Sequence, residues 1–149
     1  QQVILQGNHY ADDLWRACGG NPTTPGPAQE ECLRRSPMTY LDIAREEGVP
    51  VYIGQGIGDT ILRPSQGANA FNQLANPEDR FTPEEVDEFG RRRIPAHLAG
   101  SITTDAYFGD GDPTVVFARQ SARVWLVYFG AGHEMVYAPA LRWFASDPR

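Results

Sequence analysis

The chain has 149 residues, 41% of them hydrophobic, enough for one domain with a real core. Its 19 Asp and Glu against 13 Lys and Arg leave a net charge of −6, which disfavours nucleic acid and anionic membrane surfaces as partners. No apolar run approaches the roughly 18 residues of a membrane span.

The chain starts at Gln1, not Met, and enters at once the apolar stretch Val3-Ile4-Leu5. A strand so close to a terminus suggests a processed product or a segment, and a mature N-terminus would already have lost any signal peptide. Val3 to Gln6 reads as a first strand. The Gly7-Asn8-His9-Tyr10 turn leads into a short helix around Ala11 to Ala17. Cys18 and Cys32 then bracket a loop dense in Pro, Gly and Thr. The alternative is two unrelated buried thiols. Both residues flank one Pro/Gly loop with no third cysteine to compete, so the expectation is a disulfide and an oxidising, extracytoplasmic compartment. Such a bridge stabilises by roughly 3 kcal/mol in the chain-entropy model. No Cys or His lies at zinc-ligand spacing from either cysteine, and neither a metal nor a cofactor is expected.

A helix around Thr39 to Glu47 precedes a second strand, Val49 to Gly54, and Asp59 follows on a Gly-rich loop. Pro64 opens a helix through Leu74, with Ala68, Phe71 and Leu74 on one stripe, and Asn76-Pro77 ends it. Residues 77–118 exceed a simple helix–strand connection and read as a mostly helical and loop insertion. Within it Thr82, Pro83 and Glu85 form a capping-box helix start, with Asp87–Arg91 and Glu88–Arg92 paired along a solvated face. Asp105, Asp110 and Asp112 cluster about Gly109 to Pro113. A turn accounts for them better than a calcium loop, because the twelve-residue ligand pattern is absent.

The most informative segment is the last. Val124 to Phe129 is a continuous apolar run with the length of a strand buried on both faces. Gly130-Ala131-Gly132 turns the chain, and His133 and Glu134 follow. A terminal helix comes next, with Tyr137, Leu141 and Phe144 as its apolar side and Pro139 in its first turn. Two strands thus deliver Asp59 and His133 to one rim of a parallel sheet, where open α/β sheets bind ligands. A carboxylate there fixes the tautomer of an imidazole base, and the pair reads as an Asp–His dyad. His9 sits at what should be the same rim, where local hydrogen bonding explains it better than a pocket role. His97, in the insertion, has no chemical context, and the role of Glu134 does not separate from solvation.

Gly56-Ile57-Gly58-Asp59-Thr60-Ile61-Leu62-Arg63-Pro64-Ser65-Gln66 resembles the acid-residue loop of α/β-hydrolases, especially the prolyl-oligopeptidase-like and secreted esterase or lipase branches. Gly130 to Leu141 resembles their histidine loop and final helix, and Ser36-Pro37-Met38-Thr39-Tyr40 is similar to the stretch before their penultimate strand. The order Asp before His agrees with that family. The resemblance implies an α/β fold with helical crossovers, in which the strands are the last three of the hydrolase sheet, in chain order.

The departure matters equally. No G-x-S-x-G occurs; Ser36, Ser65, Ser101, Ser121 and Ser146 all lie outside any nucleophile elbow, and no H-G-G-G stretch offers oxyanion donors. An eight-stranded hydrolase needs roughly 200 residues or more, so residues 1–149 match only the C-terminal part of such a domain. The expectation is a chain that supplies the Asp and His of a serine hydrolase acting on an ester or peptide, inert alone. Its partner would be the N-terminal half, or a second copy, covering the open sheet edge. The alternative is a non-catalytic interaction or scaffold domain that retains the half-fold.

Overall fold

The computed structural model describes residues 9–101, 104–109, 111 and 113–146, so the expected strand Val3–Gln6 lies outside the described residues. The chain divides into two compact units at Leu41/Asp42.

The first unit is built on two helices. α1 (His9–Ala17) stops where Gly19 takes a left-handed φ of 76° and the Gly20 N–H reaches back to the Trp15 carbonyl at 2.8 Å. α2 (Pro27–Arg35) starts with Pro27 in its first turn. The Cys18–Cys32 disulfide is present, with Cα atoms 5.2 Å apart. The bracketed segment is loop only as far as Gly26, however, because Cys32 lies within α2. The residues after Pro27 explain this: Ala28, Gln29, Glu30 and Glu31 favour helix, and Glu31 pairs with Arg34 at 2.7 Å and Arg35 at 2.6 Å. Those hydrogen bonds hold the Glu31 carboxyl down at about 2. A tight 3₁₀ turn, Pro37–Tyr40, then folds back on α2. The Thr39 hydroxyl donates to the Leu33 carbonyl and the Tyr40 hydroxyl to the Arg34 carbonyl, satisfying two carbonyls at the helix end.

The second unit is α/β. Short α3 (Leu41–Glu46) ends at Gly48, φ 65°, and the chain enters β1 (Val51–Gly56). α4 (Ser65–Leu74), α5 (Pro83–Gly90), β2 (Val115–Ser121), β3 (Val124–Phe129) and α6 (Tyr137–Ala145) follow. The sheet order is β1-β3-β2. β1 runs parallel to β3 in the register Val51↔Val124 through Gly56↔Phe129, the neighbours expected from the two apolar runs. β2 is antiparallel to β3. The described sheet is therefore mixed, a correction to the all-parallel expectation. β2 also begins inside the stretch read as insertion. It escaped the sequence reading because its turn, Ala122-Arg123, carries no Gly, Asn or Asp, although Ala122 sits at φ 47°.

Alternation along the strands gives the sheet two core faces. On one, Phe117, Leu126 and Tyr128 meet Ala68 and Phe71 of α4, Phe81, and Phe89 of α5. Phe89 has no exposed surface, stacks on Tyr128 at 4.8 Å and meets Phe81 edge-on at 5.0 Å. The α5 capping box forms as expected, with Thr82 and Glu85 exchanging side-chain and backbone bonds. Asp87 pairs with Arg91 at 3.8 Å. Glu88 pairs instead with Arg91 and Arg93, because Arg92 turns to φ 62° where the helix ends.

On the other face Ala118, Val127 and Phe129 pack on Phe108, Tyr52 and Val136. Beneath it Asp105 makes a turn of its own, accepting from the Tyr107 and Phe108 N–H groups and from the Tyr52 hydroxyl. Asp110 and Asp112 lie outside the described residues. α6 reverses its expected orientation. Pro139 and Trp143 are buried, while Tyr137, Leu141 and Phe144 are about two-thirds exposed. Two contacts set the rotation: the Trp143 ring packs near Tyr52 at 5.9 Å, and Arg142 donates to the Tyr107 and Phe108 carbonyls at 2.8 Å each.

Candidate functional site

β1 and β3 end side by side, with Gly56 opposite Phe129, so their loops leave the sheet together at its carboxyl end. The main-chain ladder continues past the strands. The Ile57 N–H donates to the Phe129 carbonyl and the Gly58 N–H to the Ala131 carbonyl, both at 2.9 Å. From these loops Asp59 and His133, 74 residues apart, meet: Nδ1 of the imidazole lies 2.8 Å from Asp59 Oδ2.

The carboxylate is fixed before it meets the ring. Asp59 is buried, and its Oδ1 accepts the Ile61 and Leu62 N–H groups at 2.7 and 2.8 Å. With Oδ1 so occupied and Oδ2 accepting, Nδ1 is the ring nitrogen that donates, and in the neutral imidazole the lone pair falls to Nε2. The imidazole is 43% exposed, and no described residue takes up Nε2. That arrangement equips Nε2 to remove a proton from a hydroxyl brought to it.

Two residues that the sequence reading passed over hold the acid loop from below. Gln55 projects from β1, donates through Nε2 to the Leu62 and Arg63 carbonyls at 3.2 and 3.3 Å, and accepts the Gly67 N–H at 3.0 Å. The buried Tyr128 hydroxyl, on β3, donates to the Pro64 carbonyl. Burial pushes its phenol up from the ordinary tyrosine range. Both carried a signal: an amide between two glycines at a strand end, and a phenol inside an apolar run, each needing a polar partner.

The other candidates lie elsewhere. His97 bonds to Glu85 at 2.8 Å, the same side chain that caps α5, so it belongs to that cap. His9 opens α1, but its side chain lies outside the described residues. The Glu134 side chain is exposed and makes no hydrogen bond or ion pair among the described residues. No serine bonds His133: the Ser101, Ser121 and Ser146 hydroxyls bond Leu98, Asp79 and Trp143, and Ser65 opens α4. Among the described residues no three His, Cys, Asp or Glu side chains converge as a metal site. The Gly-Ala-Gly turn needs no left-handed glycine, since neither Gly130 nor Gly132 has a positive φ. No family model, curated protein or solved structure matches this chain.

Proposed function

We propose that this chain is the C-terminal portion of an α/β-type serine hydrolase, contributing Asp59 and His133 to a triad whose serine lies outside residues 1–149. The observation that carries the reading is the 2.8 Å bond between Nδ1 of His133 and the buried Asp59, made at the carboxyl ends of adjacent parallel strands. In the complete enzyme Nε2 would take the proton from the serine hydroxyl as it attacks an ester or peptide carbonyl. The imidazolium would then return it to the leaving group, and a second round with water would release the acid. Asp59 would hold the ring and stabilise its charge.

One surface supports a missing companion. Met135 and the outer residues of α6, Tyr137, Leu141 and Phe144, offer apolar surface of a kind that further chain would cover. The disulfide fits an oxidising compartment and a secreted protein. No described helix is long and apolar enough to cross a membrane.

The test is complementation. The chain alone should hydrolyse an activated short-chain ester no faster than its His133→Ala variant. Addition of a segment carrying G-x-S-x-G should produce turnover that His133→Ala abolishes. A complemented protein indifferent to His133→Ala would favour the scaffold reading, and labelling of the isolated chain by a fluorophosphonate would reveal a nucleophile within it.

A further inference from the structure

We propose that Gly56 and Gly58 are the positioning residues of the Asp59–His133 pair: the backbone that carries His133 occupies the space their missing side chains would fill. The proposal rests on the functional reading above only for its consequence in catalysis. Its geometry stands alone.

The pair joins two loops from different strands, so its separation depends on how those loops abut. Each loop is tied internally, Asp59 N–H to the Gly56 carbonyl and Ala131 N–H to the Phe129 carbonyl. Between them run the two main-chain bonds from Ile57 and Gly58. Neither Gly56 nor Gly58 has a positive φ, so conformational freedom is not what position 56 or 58 requires. Space is. A Cβ on residue 56 would lie 2.0 Å from the Gly132 carbonyl oxygen, 2.5 Å from that of Ala131 and 2.9 Å from the Ala131 carbonyl carbon. Real Cβ contacts essentially never fall below 3.0 Å, so the turn must retreat by about 1 Å, immediately before His133. Retreat of that size along the bond would take the 2.8 Å contact beyond hydrogen-bonding range. At Gly58 the conflict is milder, 3.0 Å to the Ala131 oxygen.

Two other glycines are built-in controls. A Cβ at Gly54, on the same strand, finds ordinary contacts at 3.8 and 3.9 Å, and one at Gly132, beside His133 itself, finds nothing within 4 Å. The ranking therefore runs against sequence proximity. Gly56→Ala should disrupt the pair, while Gly132→Ala should not.

The test is ¹⁵N NMR of the full chain labelled at histidine, with His133→Ala assigning the signals among the three histidines. The wild type should show the Nδ1–H tautomer at His133, lost in Asp59→Asn. Gly56→Ala should lose it too, with the far-ultraviolet circular dichroism of a folded chain, and Gly58→Ala should exchange its Nδ1 proton with water several-fold faster than wild type. Gly54→Ala and Gly132→Ala should keep the wild-type signature. A folded Gly56→Ala with an unchanged tautomer overturns the proposal, as does a Gly132→Ala that loses it. If Gly56→Ala does not fold, Gly58→Ala decides, and unchanged proton exchange there overturns the proposal. A wild type without the Nδ1–H tautomer would remove the pair itself, and with it the proposed function. The outcomes above leave that function standing.

Discussion

Truncating Phe89 to alanine tests whether α5 belongs to the core of the second unit or could be detached from it. Phe89 is fully buried and lies 4.8 Å from Tyr128, 5.0 Å from Phe81 and 5.8 Å from Phe117 by ring centroids. Removing a buried phenylalanine typically costs about 3–5 kcal/mol, transfer and cavity together. With aromatic rings packed on it from three residues, Phe89→Ala falls in that range, at about 4 kcal/mol. For a unit of about 100 residues this lowers the melting temperature by roughly 15–30 °C. Phe89→Leu keeps most of the volume and should lose only about 1–2 kcal/mol. Arg91→Ala, on the exposed side of the same helix, removes two surface ion pairs and should cost below about 1 kcal/mol. Urea unfolding followed by circular dichroism and tryptophan fluorescence reads all three. A Phe89→Ala loss no larger than that of Arg91→Ala would refute the packing argument and make residues 83–90 an appended helix.

Further outcomes follow from the same contacts. Reducing Cys18–Cys32 should cost roughly 3 kcal/mol in the chain-entropy model, read as faster amide exchange in α1 and α2; unchanged exchange would mean that the helices hold without it. Gln55→Ala strips partners from the Gly67 N–H and the Leu62 and Arg63 carbonyls, and should cost about 1–3 kcal/mol and speed exchange at the Ile61 and Leu62 amides. Burial raises the Tyr52 and Tyr128 phenols, while unfolded tyrosine ionises near pH 10. Above about pH 10 the unfolded chain therefore binds fewer protons than the folded one, and stability, intact below that pH, falls as pH rises. Urea midpoints across that range should fall less steeply in Tyr128→Phe; equal slopes would refute the tyrosine origin.

How legible the fold was depended on how local its causes are. β3 announced itself because a strand covered on both faces must be apolar throughout, β1 by its Val51-Tyr52-Ile53 run into a Gly-rich loop, and the α5 cap because its chemistry spans only Thr82 to Glu85. β2 did not, since its inner residues, Phe117 and Ala118, are followed by Arg119 and Gln120, and its tight turn uses Ala122 in a conformation more usual for glycine. Arg119 shows why polarity misled: its guanidinium lies 4.2 Å from the Phe81 ring centroid and donates to the Asp79 carbonyl, so it packs as part of a core face. The orientation of α6 was equally out of reach. Helical periodicity pointed to the Tyr137, Leu141 and Phe144 stripe, whereas the helix is turned by contacts to Tyr52 and the Tyr107–Phe108 carbonyls, far away in sequence.

The candidate site divides along the same line. Asp59 and His133 were legible because each is the first ionisable side chain after a Gly-rich strand end. Their supports were not, because those act across the sheet: Gln55 and Tyr128 hold the carboxylate loop from adjacent strands, and position 56 matters for what sits opposite it. Every bond described as fixing Asp59 to His133 comes from residues 55–67 and 128–133. On the reading we propose, the pair is then organised before any nucleophile arrives. Preorganised acid and base cannot replace an attacking oxygen or the donors that stabilise an oxyanion, and each of those is worth orders of magnitude in rate. Silence of the isolated chain would trace to those absent groups, not to a misplaced imidazole.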